Sequence, residues 1–195
     1  HVHYYVVDEF WYAKEPGTQD MDIPVNKMSM DLKFFQAASI PEERIHTLRD
    51  ETVDSFDAAI QQIGGMDMVL MGIGTDGHFC GNHPGTFTNW NQGCHSIDRY
   101  CTPQVNQLLE FLLKDDIHSD DVSRIPDHYL TMGPKTIMDA KNIVMIFSGK
   151  GKAETVRRAF FGPVTMDFPV SVFQLHPHVS VLLDEAAASE IRELL

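Results

Sequence analysis

The run "MDMVLMGIGTDGH", Met66–His78, is apolar almost without interruption, turns at Gly72 and Gly74, and then delivers Asp76, Gly77 and His78. Apolar residues without polar alternation are the pattern of a strand covered on both faces, as in a parallel sheet. Three further segments end in the same way. "VHYYVVDE" (Val2–Glu9) stops at Asp8-Glu9, "NIVMIFSGKGKA" (Asn142–Ala153) at Gly149 to Lys152, and "VSVLLDEAA" (Val179–Ala187) at Asp184-Glu185. Helical patterns lie between and after them. "TVDSFDAAIQQIGG" carries Val53, Phe56, Ile60 and Ile63 on one stripe and stops at Gly64-Gly65. "TPQVNQLLEFLL" opens with Thr102 as N-cap and Pro103 in the first turn. "GKAETVRRAFFGP" ends at Gly162-Pro163, and "DEAAASEIRELL" predicts a last helix. Strands alternating with helices predict an α/β fold, a Rossmann-like three-layer sandwich with a mostly parallel sheet. Ligands of such sheets bind beyond the carboxyl ends of the strands. Asp8, Asp76, His78 and Lys152 are therefore expected in one crevice.

The 195 residues suit a single domain spanning 1–195. The polar stretches at residues 17–20 and 86–92 read as turns and not as linkers. A formal net charge of −13 argues against a nucleic-acid groove, which needs clustered Lys and Arg. No segment approaches the ~18 apolar residues that span a bilayer. Cys80, Cys94 and Cys101 are odd in number and lack CxxC spacing, which points to free thiols in a reducing compartment, the cytoplasm. No metal site is expected, because His1/His3 and His176/His178 show no linked carboxylate or cysteine pattern.

The strand ends carry groups suited to proton transfer. Glycines at 72, 74 and 77 let the backbone bend and approach a ligand. A histidine near neutral pKa gives and takes protons, and a neighbouring carboxylate fixes its tautomer. Asp8 closes an apolar strand, a setting that partly desolvates a carboxylate and makes it a better base. Lys152 follows two glycines at a helix start, where free N–H groups and a cation favour an anion. Taken singly, Asp76 could equally cap a helix, His78 could be structural and Lys152 could be a solvated cation. "SGKGKA" lacks the GxxxxGK[ST] spacing of a P-loop.

Together, "LMGIGTDGHFCGNHPGT" (Leu70–Thr86), "VVDEF" (Val6–Phe10), "GKAETV" (Gly151–Val156) and "FQLHPHVSVLLDEAA" (Phe173–Ala187) resemble the glucosamine-6-phosphate deaminase/isomerase family. That family shares its fold with the 6-phosphogluconolactonases. The resemblance runs from about His1 to Glu185 and is poor over residues 89–121. It implies an enzyme on a small phosphosugar, with no cofactor expected and with oligomers among its relatives, while the charge and the apolar runs read above predict no nucleic-acid or membrane partner. Asp8 would shuttle a proton between C2 and C1. His78 would open the pyranose ring, with Asp76 orienting it. Lys152 would hold the 6-phosphate, and Glu9, Gly74 and Gly77 would line the substrate. Phe10 stands where lactonases usually carry arginine, which favours the deaminase branch. Two alternatives share the fold: a lactone hydrolase with His78 activating water, and a sugar-phosphate sensor without turnover.

Two departures bear on the chemistry. His83 occupies the position of a catalytic glutamate, and a second imidazole cannot support an imidazolium as a carboxylate does. The family's Ser/Thr- and glycine-rich phosphate loop lies upstream of "VVDE", so native N-terminal sequence is expected before His1. The later phosphate arginine has no match in register, Arg124 being the nearest.

Overall fold

A computed structural model describes residues 2–18 and 21–194. His1, Leu195, and Gln19 and Asp20 of the expected polar turn lie outside the described residues. Among the described residues, ten strands occur in chain order: β1 (Tyr4–Tyr5), β2 (Asp8–Glu9), β3 (Trp11–Ala13), β4 (Met21–Pro24), β5 (Ile45–His46), β6 (Val69–Met71), β7 (His95–Asp98), β8 (His128–Thr131), β9 (Ile143–Phe147) and β10 (Val179–Leu183). The α-helices are α1 (Val25–Met30), α2 (Val53–Gln62), α3 (Pro103–Asp116), α4 (Pro134–Met138) and α5 (Ala153–Phe161). The described residues group into two compact units, one of residues 1–56 and 94–131, the other of residues 57–93 and 132–195.

The first unit is built on antiparallel pairing. Its three-stranded sheet has the order β2-β8-β7, with Asp8 opposite Thr131 and His95 opposite Thr131 on the other side. β3 and β4 form an antiparallel pair, and β1 and β5 a short parallel one. The expected first strand is thus two short strands, β1 and β2. β7 and β8 fall in sequence that lacks a long apolar run and were not expected. α3 starts as its sequence predicts: Thr102 accepts a hydrogen bond from the Val105 amide at 3.3 Å, with Pro103 in the first turn. Val105, Leu109 and Leu113 recur at i, i+4 spacing and bury one face with Phe10, Tyr12 and Tyr129. Each fully buried aliphatic side chain there contributes about 1.5–3 kcal/mol. The Tyr12 hydroxyl, wholly buried, donates to the Leu109 carbonyl at 2.6 Å, so its polar tip is satisfied inside the core.

The second unit holds the parallel sheet that the apolar runs predict. Its order is β10-β9-β6, with Val179, Ile143 and Val69 in register. The expectation that the apolar runs of β6 and β9 are covered on both faces is corrected among the described residues. Val69, Met71, Ile143, Met145 and Phe147 are buried, while Leu70 is 58% exposed, Ile146 49% and Leu182 54%. One apolar face is packed and the other is open. The last predicted helix is also corrected. Residues 185–194 form successive turns, with i→i+3 bonds from Ser189 to Ala186, Ile191 to Ala188 and Leu194 to Ile191. Asp184 fixes the start of this segment. Its Oδ2 accepts from Ser148 Oγ and the Gly149 amide, and its Oδ1 from the Ala187 amide. Gly149, at φ +85°, lies in the left-handed region that the β9–α5 turn requires. Among the described residues, no helix is long and apolar enough to cross a membrane.

Candidate active site

β6 ends at Met71, and the chain then folds a tight turn in which the Gly74 amide donates to the His78 carbonyl and the Gly77 amide to the Gly74 carbonyl. Both glycines are required by space. A Cβ on Gly74 would lie 2.2 Å from the His78 ring and 2.5 Å from Asp76 Oδ1. Gly77 has φ +82°, and a Cβ there would meet the Phe168 ring at 2.5 Å. Gly74 therefore makes room for an imidazole and a carboxylate, and Gly77 for the Phe168 ring, which goes beyond the substrate approach expected from sequence.

Within this turn His78 Nδ1 lies 2.6 Å from Asp76 Oδ1. His83 Nδ1 approaches Asp76 Oδ2 at 3.3 Å, and the two imidazoles stack with ring centroids 4.0 Å apart. Burial pushes the Asp76 carboxyl up, but hydrogen bonds from His78 and His83 outweigh it and hold the group well below the usual carboxylate range. An ionised Asp76 accepts Nδ1–H from His78, which leaves His78 Nε2 as the nitrogen for proton exchange. The His78 side chain is half-buried. His83 is buried, and burial, with the neighbouring His78, pulls its imidazole below the ordinary value against the opposing hydrogen bond to Asp76. Its Nε2 has no hydrogen-bond partner.

Lys152 sits in a one-turn 3₁₀ helix, Lys150–Lys152, at the foot of α5, and its Nζ donates to the Ile73 carbonyl. The sequence places this cation 79 residues from Ile73, and the fold brings it onto the turn that carries Asp76 and His78. Thr155 Oγ1 donates to the Thr75 carbonyl on the same turn at 3.4 Å. Asn82, wholly buried, donates to the carbonyls of Phe79 and Met132 and so anchors the loop leading to His83. Gln174 and His176 of the "QLHP" stretch are structural. Gln174 Nε2 donates to the carbonyls of Ala159 and Gly162, and His176 Nε2 to that of Ala140.

Asp8 and Glu9 belong to the first unit. Asp8 is partly exposed, and its Oδ1 accepts from Asn26 Nδ2 at 2.7 Å, while the same amide nitrogen reaches the Asp8 carbonyl at 3.0 Å. Glu9 is placed differently from the substrate contact expected of it. It is 0% exposed, and its oxygens accept from the amides of Phe10, Asn26 and Lys27 and from Thr47 Oγ1. Its carboxylate caps the N-terminus of α1, where Pro24 offers no side-chain cap. Burial pushes the Glu9 carboxyl up to about 7, against the four donors that favour its charge. Sequence reading missed Asn26 and Thr47, which position this pair. The only local signal was the polar step after Ile23-Pro24-Val25.

No family model matches the chain. A glucosamine-6-phosphate deaminase of Rhodococcus jostii (strain RHA1) is 38% identical over 167 residues, covering 82% of this chain and 60% of the relative. The chain is a relative of the glucosamine-6-phosphate deaminases. The enzyme of that name from Rhodococcus opacus (strain B4) is 43% identical over 138 residues, 70% of this chain and 49% of the relative. The chain thus spans about half to three fifths of the length of these deaminases. Among solved structures, a monomeric glucosamine-6-phosphate deaminase of the NagB superfamily superposes with a TM-score of 0.73 at 29% identity, covering 95% of this chain and 73% of that one. A 6-phosphogluconolactonase from Trypanosoma cruzi shares the fold, with a TM-score of 0.66 at 16% identity over 98% of this chain and 73% of the other. The α/β fold is that of the deaminases and lactonases.

Proposed function

We propose that this chain carries the proton-transfer centre of an aminosugar-phosphate isomerase/deaminase that acts in the cytoplasm on a hexosamine 6-phosphate. The observation behind this reading is the Asp76–His78 pair, 2.6 Å apart on a glycine turn that no larger residue would fit. The likeness to deaminases at 38–43% identity supports it.

In this reading His78 Nε2 transfers a proton at the ring oxygen and opens the pyranose to the aldehyde. Asp76 holds the imidazole tautomer and balances its charge. Asp8 then removes the C2 proton to give an enol-amine and returns a proton to C1. C2 is left as an imine, which water converts to the ketone with loss of ammonia. Lys152 gives the substrate phosphate a cation. Asn26 aims Asp8, and Glu9 holds Asn26 from behind.

The test incubates the full-length protein with a panel of hexose and hexosamine 6-phosphates in heavy water. Deuterium entering at C1 or C2, with ammonia released from the amino sugars, is the expected result. Neither signal across the whole panel would overturn the assignment.

A further inference from the structure

We propose that Asp76, His78 and His83 form a binding site for a borderline divalent transition-metal ion of the zinc, cobalt or nickel class. The ion would bind in competition with the proton shared between His78 and Asp76. Each of the three side chains offers one ligand atom, and these atoms all lie within 4.8 Å of one another. Metal–donor bonds of 2.0–2.2 Å set neighbouring donors of a tetrahedral or octahedral centre about 3.0–3.4 Å apart. The His83 Nδ1–Asp76 Oδ2 separation of 3.3 Å is already in that range. The His78 Nδ1 atom lies 2.6 Å from the other carboxylate oxygen, Oδ1, a hydrogen-bonded distance shorter than that range, so the site forms as His78 and Asp76 move slightly apart.

The donor set chooses the ion. Two imidazoles and one carboxylate suit zinc, cobalt, nickel or ferrous iron and disfavour magnesium and calcium, which take oxygen ligands. Three protein ligands leave open positions for water or a substrate oxygen. A dication is matched by two neutral imidazoles and one carboxylate together. Glycine at 74 keeps the side of the cluster next to the His78 ring free of a Cβ. The sequence hid the site because its ligands come from D-G-H followed five residues later by a histidine, a spacing outside the common zinc patterns.

The ion would hold His78 away from proton transfer. This consequence rests on the catalytic reading above, whereas the binding itself does not. The experiment therefore reads binding. Full-chain protein stripped with a chelator is titrated with cobalt(II), followed by visible d–d absorption, and with zinc(II), followed by calorimetry. One ion per chain, with ring-nitrogen NMR shifts at His78 and His83, is expected. His83→Gln and His78→Gln should each weaken binding by about 10–100-fold, while His178→Gln leaves it unchanged. Because His83 is buried, circular dichroism checks its variant, and the half-exposed His78 provides a second test if His83→Gln unfolds. No saturable 1:1 binding, or equal binding by a folded His78→Gln variant, overturns the site. Saturable binding by a chain that shows no isotope exchange keeps the metal site and removes the catalytic reading.

Discussion

His83 stacks on His78 with ring centroids 4.0 Å apart, and both imidazoles turn Nδ1 toward the single carboxylate of Asp76. A carboxylate at position 83 would stabilise charge on His78, whereas a buried imidazole with an unpartnered Nε2 does not. His83→Glu is therefore expected to raise ammonia release by about tenfold and to extend the pH–rate profile toward alkaline pH. Steady-state ammonia assays between pH 6 and 9 check it. An unchanged profile would mean that residue 83 does not influence the proton on His78.

Gly74→Ala places a Cβ 2.2 Å from the His78 ring and 2.5 Å from Asp76 Oδ1, so the ring must leave its carboxylate. The expected outcome is a loss of about 100-fold in isotope exchange with stability lowered by only about 1–3 kcal/mol. Gly77→Ala meets a rigid Phe168 ring and adds backbone strain at φ +82°, so it should cost more stability than Gly74→Ala. Urea unfolding of both variants decides the order.

Glu9 gives a pH signature of the first unit. Its folded pKa of about 7 stands above the 4.5 of the free side chain, so the folded state binds the proton more tightly. The resulting stability is fully present below about pH 4.5 and is lost as pH rises through about 7. The shift corresponds to about 3 kcal/mol across that window. Glu9→Gln cannot titrate, and the difference between its unfolding free energy and that of the unaltered chain should change by this amount between pH 4.5 and 8.5. Parallel curves for the two proteins would show that Glu9 titrates alike in both states.

The parts of the fold legible in sequence were those with a local cause. The strand at β6, its glycine stop and the Thr102 cap each carry their reason within a few residues, and each lies where expected, although one face of β6 is open. β7 and β8 do not, because "HSID" and "HYLT" are short and mixed and become strands only by pairing with each other and with β2. The Asp76–His78 pair was legible because both residues sit on one turn. The buried cap made by Glu9 was not, since three of its four donors, the amides of Asn26 and Lys27 and Thr47 Oγ1, lie 17–38 residues away.

Asp8 is the remaining test of the proton shuttle. Its Oδ1 is held by Asn26 Nδ2 at 2.7 Å, an arrangement that fixes the direction of the carboxylate. Asp8→Asn is expected to reduce C2 exchange by at least about 1,000-fold while phosphosugar binding stays within about threefold. Asn26→Ala removes the aiming group but keeps the base, so exchange should fall by about 10-fold with binding again retained. The two variants separate chemistry from position. Exchange by Asp8→Asn at a rate near that of the unaltered protein would move the base to another residue, and a loss in Asn26→Ala as deep as in Asp8→Asn would make the amide part of the proton path itself.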